Sequence, residues 1–192
     1  MLKSLEKLKY QLRDNIQQPN EEIIDSSSSS VMVLFHKQDE SLEVLMIKRS
    51  AKLKYHSGEW AFPGGKFEIS DDNLMETAYR EVREEIGIQE KNITVWLRMY
   101  PVNTFTGYTI WPFIGMIKEF NKKHLRLNED EVAEVISIPI RIFLDDNHKR
   151  DITSYKNNTF KKSPAFTYNG KIICGASARI IGNIFNPLIK GV

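Results

Sequence analysis

The residues best suited to chemistry lie in one short acidic stretch that contains Glu81, Glu84 and Glu85. If residues 74–86 form a helix, Glu81 and Glu85 lie along one edge of its apolar stripe, and Glu84 lies just beyond them. Like charges four residues apart destabilise an isolated helix, so three carboxylates beside a buried edge favour a bound cation. Carboxylate oxygens are the ligands that Mg²⁺ and Mn²⁺ prefer. The pattern predicts a divalent metal site; the alternative is an ordinary solvated face with arginine neighbours.

This helix carries signals at both ends. Asn73 is suited to an N-cap, and Gly87 stands where a left-handed residue closes a helix. At helical spacing the residues predicted to face the core are Met75, Ala78, Tyr79, Val82 and Ile86.

A double glycine, Gly64-Gly65, precedes the helix. Together with Arg80-Glu-Val-Arg-Glu-Glu-Ile-Gly-Ile88, the stretch from residue 65 to 88 resembles the Nudix box, which ends in Arg-Glu-apolar-x-Glu-Glu-x-Gly-apolar. That ending matches at every position. The segment before Arg80 is one residue longer than the commonest form, and Asp71 stands where Glu is usual.

Both departures occur in the coenzyme A pyrophosphatase subfamily of Nudix proteins, and three further segments resemble its motifs. Two residues differ from the usual pattern, because Lys54 replaces an Arg and Cys174 stands where Trp is typical. The matching segments are Arg49-Ser50 with Lys54, Gly58 and Phe62-Pro-Gly-Gly65, the acidic residues 128–135, and residues 173–179. The resemblance covers about residues 31–189.

The resemblance implies roles for the acidic residues and for Arg80. Glu81 and Glu85 are the expected metal ligands, the carbonyl of Gly65 completes the site, and Glu84 is a second ligand or shapes the outer shell. Arg80 is expected to anchor the glutamates by ion pairs. For the remaining two acids we expect Glu134 to be a ligand and Glu131 a general base, with solvated turn acids as the alternative.

Basic residues near the motif indicate where the substrate binds. Arg49, Lys54 and Lys66 are the candidate substrate-binding residues, and we expect Arg49 and the nearby lysines to recognise the 3′-phosphate of coenzyme A. Lysines in this region also fit simple solvated loop charges.

The resemblance thus implies an enzyme that cleaves the diphosphate of coenzyme A or its thioesters, with Mg²⁺ or Mn²⁺ as cofactor. The products would be 3′,5′-ADP and 4′-phosphopantetheine or its acyl derivative. One alternative is a pyrophosphatase for other nucleoside diphosphate derivatives, such as ADP-ribose, NADH or oxidised dNTPs. Another is a catalytically idle Nudix domain that senses a ligand, but the intact set of three glutamates argues against it.

Composition excludes several other classes of protein. The 192 residues carry 27 basic and 25 acidic side chains, and a net charge of +2 is too balanced for a dedicated nucleic-acid partner. The apolar run over residues 31–35 is far too short to span a membrane, and the charged first 16 residues do not resemble a secretory signal. A single cysteine allows no internal disulfide. We expect a cytoplasmic protein with a small-molecule substrate, either a monomer or a homodimer.

The order of predicted elements indicates an α+β fold, an α/β/α sandwich in which a mixed sheet lies between helices, as in the Nudix fold. We divide the chain into an N-terminal helix and Ser-rich connector, residues 1–30, and a Nudix domain, residues 31–192. Ser26 to Ser30 are predicted to be a flexible connector. Besides residues 74–86, helices are predicted over 2–16, 141–144 and 176–185, and strands over 31–35, 42–47, 93–102, 109–117 and 134–138, with a hairpin turn at Asn169-Gly170.

Overall fold

The computed structural model describes residues 2–19, 24–104, 106–156 and 158–190. Its helices are α1 (Leu2–Asn15), α2 (Leu74–Ile86), α3 (Ile140–Leu144) and α4 (Gly175–Lys190). Its strands are β1 (Ser28–Gln38), β2 (Ser41–Arg49), β3 (Trp60–Ala61), β4 (Gly64–Lys66), β5 (Ile93–Arg98), β6 (Val102–Asn103), β7 (Thr109–Ile117), β8 (Val132–Pro139), β9 (Lys149–Lys156), β10 (Thr159–Tyr168) and β11 (Lys171–Ile173).

Two sheets are present among the described residues. The larger is mixed, with the order β3-β2-β1-β7-β5, and β4, β6 and β8 pair with β1, β7 and β2 respectively. Within it β1 and β7 run parallel, whereas β1 with β2 and β2 with β8 are antiparallel. The smaller sheet is antiparallel, in the order β11-β10-β9.

Alternation along β1 gives the large sheet two apolar faces. Met32 and Leu34 pack with Val82 of α2 on one face, whereas Val33 and Phe35 pack with α1 and α4 on the other. The structure therefore has helices on both sides of a mixed sheet, and the predicted α+β sandwich is confirmed. No helix among the described residues is long and apolar enough to cross a membrane.

Helix α2 begins and ends where the sequence predicts. The Asn73 side chain accepts hydrogen bonds from the backbone N–H groups of Met75 and Glu76, both at 3.0 Å. Gly87 has a φ of 78° and closes the helix by donating to the Arg83 carbonyl at 3.0 Å. The buried face agrees with the predicted stripe except at Met75, which is exposed. These caps fix the register that places the glutamates.

The predicted connector is wrong for its last three serines. Ser28, Ser29 and Ser30 are buried and open β1, so a domain boundary after residue 30 falls inside a strand. The hydroxyls of Ser29 and Ser30 donate to the carbonyls of Thr109 and Trp111 on β7, both at 3.3 Å. Because the neighbouring strand satisfies these hydroxyls, the serines can be buried. Residues 1 and 20–23 of the predicted N-terminal unit lie outside the described residues.

The C-terminal part also differs from the prediction. Helix α4 continues to Lys190, past the expected stop before Asn186. Pro187 lacks an N–H for the carbonyl four residues earlier, but Asn183 is exposed, so water can satisfy that carbonyl. The hairpin predicted at Asn169-Gly170 is confirmed, since β10 pairs with β11 across that turn. Strand β9 and the first part of β10 lie outside the predicted strands, because most of their residues are polar and exposed rather than alternating.

Candidate active site

Three carboxylates from two parts of the fold meet at one end of the large sheet. Glu81, Glu85 and Glu131 each offer a carboxylate oxygen, and these oxygens lie within 4.8 Å of one another. Helix α2 supplies the first two, and the turn before β8 supplies Glu131. That turn is fixed from both sides, because Glu131 N donates to the Asn128 carbonyl at 2.9 Å and Ser50 N donates to the Glu131 carbonyl at 2.8 Å.

The two helical glutamates are held away from water. Glu85 is 1% exposed, and burial raises its pKa to about 8, against the opposing effect of a 3.0 Å hydrogen bond from Gly64 N. Burial also raises the pKa of Glu81, and the adjacent Arg80 guanidinium opposes that rise. Buried carboxylates gathered at this distance favour a bound cation, and an all-oxygen donor set suits Mg²⁺ or Mn²⁺. The residues present therefore fit the metal that the sequence predicts.

The double glycine allows the backbone to approach these glutamates closely. A Cβ atom on Gly65 would overlap the carboxylate of Glu81, and one on Gly64 would lie 2.6 Å from the Cα of Val31 in β1. Backbone atoms of β1 exclude a side chain at Gly64, whereas a side chain at Gly65 would displace the Glu81 carboxylate. The role of the Gly65 carbonyl as a metal ligand stays a prediction.

Arg80 connects the acids to the loop before the helix. Its Nη1 donates to Glu81 at 2.8 Å and to Glu84 at 3.2 Å, and its Nη2 donates to the Lys66 carbonyl at 2.9 Å. Asp71 accepts from the same guanidinium through both carboxylate oxygens. Arg80 thus lies among acids, as predicted, and its donors are used within the protein.

The structure exchanges the positions expected for the two acids near β8. Glu131, the predicted base, belongs to the three-carboxylate group, whereas Glu134, the predicted ligand, does not. Glu134 lies two residues inside the strand, where its carboxylate is 3.7 Å from Lys171 Nζ. The reason is that β8 begins at Val132, so the turn that meets α2 contains Glu131. Glu84 also lies outside the group, with a half-exposed side chain bound to Arg80.

The three predicted substrate-binding cations lie in different surroundings. Arg49, at the end of β2, lies close enough to Glu85 to lower the pKa of that carboxyl, and its buried Nε has no hydrogen-bond partner among the described residues. Lys54 is exposed and packs over the Tyr55 ring, and Lys66 packs over the Tyr108 ring. Only Arg49 is therefore placed beside the carboxylates.

Sequence reasoning assigned no role to Asn128, which the structure places at the site. Its side chain donates to Glu131 Oε1 at 3.3 Å, and its backbone N–H donates to the carbonyl of Glu85 at 3.1 Å. An Asn just before Glu129 and Asp130 is a signal for a turn, but the sequence alone does not show which helix that turn meets.

Comparison with known proteins matches this chain to one protein family. The family model described as NUDIX domain matches residues 27–156. The uncharacterized Nudix hydrolase NudL of Citrobacter koseri is 32% identical over 138 residues, which are 72% of this chain and 71% of the relative. Nudix hydrolase 15, mitochondrial, of Arabidopsis thaliana is 37% identical over 62% of this chain and 42% of the relative. A NudL of Pectobacterium atrosepticum is matched over half its length, at 38% identity.

Solved structures agree on the fold. A MutT/nudix family protein from Enterococcus faecalis has a TM-score of 0.53 and 21% identity, over 97% of this chain and 74% of that chain. The Nudix hydrolase RenU of M. smegmatis has a TM-score of 0.51 and 20% identity, over 66% and 79% of the two chains. The chain belongs to the Nudix family. Membership of that family supports a hydrolase that acts on pyrophosphate bonds.

Proposed function

We propose that the protein is a metal-dependent hydrolase that cleaves the diphosphate of coenzyme A or its thioesters. The products are 3′,5′-ADP and 4′-phosphopantetheine or its acyl derivative. The observation that carries the proposal is Arg49, whose buried Nε has no hydrogen-bond partner among the described residues. Its position on β2 pairs with Val132, the residue after Glu131 of the carboxylate group. Arg49 stands in the segment that resembles the coenzyme A motif, so the motif and the carboxylates meet in one place.

Glu81 and Glu85 would hold Mg²⁺ or Mn²⁺, and Glu131 would be either a third ligand or the general base. When bound, the ion would neutralise charge on the diphosphate and lower the pKa of a water molecule. Arg80 is a positioning residue, since it orients Glu81 while its other donors are held by Asp71 and the Lys66 carbonyl. The Gly64 N–H fixes the Glu85 carboxylate. Arg49 contacts a diphosphate oxygen by a charge-assisted hydrogen bond from its guanidinium.

The proposal also includes a general base, which accepts a proton from the attacking water. Glu131 is the candidate, because Asn128 holds its carboxylate and it is less buried than Glu85. Whether it serves as ligand or base is decided by the pH dependence of kcat in a Glu131→Gln variant. A base contributes an acidic limb to that profile, whereas a ligand mainly changes the metal concentration required. The cytoplasmic location and a homodimer stay predictions.

The test is a set of initial rates measured under identical metal conditions. Coenzyme A and acetyl-coenzyme A are compared with ADP-ribose, NADH and dNTPs, with Mg²⁺ and Mn²⁺ in separate series. We expect the highest kcat/KM with coenzyme A or its thioester, and no turnover when the metal is chelated. A higher kcat/KM with ADP-ribose or NADH would replace this proposal with a broader nucleoside diphosphate pyrophosphatase.

A further inference from the structure

A cavity lined by two arginines lies near the three carboxylates, at the C-terminal end of α2. It has a volume of about 570 Å³ and is lined by the C-terminal turn of α2 and by the segment before β8. We call it the Arg126 cavity and define it by Arg83, Glu84, His124, Arg126 and Asn128. Its volume is within the range for a nucleotide-sized group, on the order of 300–1,000 Å³.

Two arginines and a histidine of this cavity have no side-chain partner within the described protein. The side chains of Arg83, His124 and Arg126 make no hydrogen bond or ion pair with any described residue, in contrast to Lys52, which pairs with Asp130 at 2.7 Å. Glu84 is the acid in the lining, and it already accepts from Arg80. Two guanidinium groups therefore line a cavity whose one carboxylate is already engaged, which favours an anionic ligand.

Two lining residues join the cavity to the candidate metal site. Glu84 shares the Arg80 Nη1 donor with Glu81, and Asn128 donates to Glu131. The cavity lining is therefore one hydrogen bond from Glu131, through Asn128, and two hydrogen bonds from Glu81, through Glu84 and Arg80. A group bound there can belong to the same molecule as a diphosphate bound at the carboxylates.

We propose that the Arg126 cavity binds a phosphate monoester that the substrate carries beside its scissile diphosphate. This rests on the proposed function, in which that group is the 3′-phosphate of coenzyme A. One ribose ring carries both the 3′-phosphate and the 5′-diphosphate, so their binding sites must be neighbours. A phosphate monoester is a dianion that planar guanidinium groups bind with two donors. Arg49 is not available for this role, since it lies at the carboxylates, and Lys54 lies on an exposed loop.

The kinetic test compares coenzyme A with dephospho-coenzyme A, which lacks only the 3′-phosphate. We expect wild type to prefer coenzyme A, and we expect an Arg83→Gln, Arg126→Gln double variant to reduce the ratio of the two kcat/KM values by about tenfold. Gln preserves helix propensity and most of the side-chain stem. Lys123→Gln is the matched control, because Lys123 is an exposed cation beside His124 that does not line the cavity. A ratio that the double variant leaves at the wild-type value would overturn the inference.

A binding test separates this inference from the proposed function. Calorimetric titration with 3′,5′-ADP and with 5′-AMP needs no turnover. We expect 3′,5′-ADP to bind more tightly to wild type and the difference to disappear in the double variant, even if coenzyme A is not hydrolysed. Equal affinities in wild type would overturn the cavity assignment while leaving the hydrolase proposal intact. Inorganic phosphate that inhibits both substrates equally, in wild type but not in the double variant, would assign the cavity to a free anion instead.

Discussion

Asp71 and Arg80 form a two-point contact, in which Arg80 Nε donates to Oδ1 at 2.8 Å and Nη2 donates to Oδ2 at 3.0 Å. The same carboxylate accepts from the Thr77 hydroxyl at 2.8 Å and from Glu68 N at 3.0 Å. These bonds hold the pKa of Asp71 at about 2, mainly through Arg80. The contact fixes the guanidinium that orients Glu81, so an acid outside the metal group supports the geometry within it.

The Asp71→Asn variant tests this contact. An amide keeps one acceptor oxygen for Thr77 and Arg80 Nη2 but places an NH₂ group opposite Arg80 Nε and removes the charge, so we expect a loss of about 2 kcal/mol in the free energy of unfolding. Activity should fall by about tenfold, because Arg80 then orients Glu81 less well. Urea titration and kcat check the two effects. The control is Asp72→Asn at the next, exposed residue, and equal effects at both positions would contradict a special role for Asp71.

Glu85→Gln should separate stability from activity. The uncharged isostere retains an acceptor for Gly64 N but loses the charge that a divalent ion requires, so we expect turnover to fall by about a thousandfold. Without metal, the thermal midpoint should stay level or rise, because a buried acid beside Glu81 is removed. Thermal melts in EDTA and rates at saturating Mg²⁺ measure both effects. An exposed control, Glu119→Gln, should change neither quantity. If Glu85→Gln kept more than a tenth of wild-type activity, Glu85 would not be part of the site.

The sequence predicts α2 well because its signals are local. Asn73 and Gly87 are caps that act within one turn, and the apolar spacing fixes the face on which Glu81 and Glu85 lie. The choice between Glu131 and Glu134 is not local, because it depends on where β8 begins and which turn contacts α2. Such contacts between distant segments leave no periodic pattern in a single sequence.

The prediction of a flexible connector at the serine tract was wrong for a related reason. Its composition is typical of a linker, but Ser29 and Ser30 are buried because β7 accepts from their hydroxyls. The partner strand, some eighty residues away in sequence, determines the outcome.

Gly65→Ala should weaken metal binding without unfolding the protein. The added methyl group would overlap the Glu81 carboxylate, so that side chain must move away from Glu85. We expect the affinity for Mn²⁺, measured by titration calorimetry, to fall by about tenfold or more. Gly182→Ala in α4 is the control, since its Cβ would lie 3.4 Å from Asn186 Nδ2 and helical Ala is favoured over Gly. Unchanged Mn²⁺ affinity in Gly65→Ala would contradict the close approach.

His36 should make stability depend on pH. It is fully buried, its Nε2 lies 2.7 Å from the Ser137 hydroxyl, and burial lowers its pKa below the usual value of about 6.5. As pH falls through about 6.5, the unfolded state binds the proton first, so the free energy of unfolding decreases until the pKa of the folded state is passed.

The measurement is urea titration of wild type and His36→Gln between pH of about 7.5 and 5.5. The stability difference between the two proteins isolates His36, because the other acids, including its cross-strand neighbour Glu43, are present in both. We expect wild type to lose more stability than the variant on acidification. Parallel curves would show that His36 does not titrate differently in the folded and unfolded states.

Arg49→Met should slow every diphosphate substrate to the same extent. Its charge acts on Glu85, and its buried Nε has no partner among the described residues, so the proposed partner of the guanidinium is a diphosphate oxygen that all substrates of the class share. We expect kcat/KM to fall by about a hundredfold for both coenzyme A and dephospho-coenzyme A. The ratio between them should stay at the wild-type value, in contrast to the expectation from sequence that Arg49 recognises the 3′-phosphate.

Without substrate, the unfolding midpoint of Arg49→Met should not fall, since Met retains the stem and no ion pair is broken. Arg141→Met, the same change at an exposed position of α3, should leave both rates unchanged. If Arg49→Met lowered kcat/KM for coenzyme A alone, the 3′-phosphate would be assigned to Arg49 and not to the Arg126 cavity.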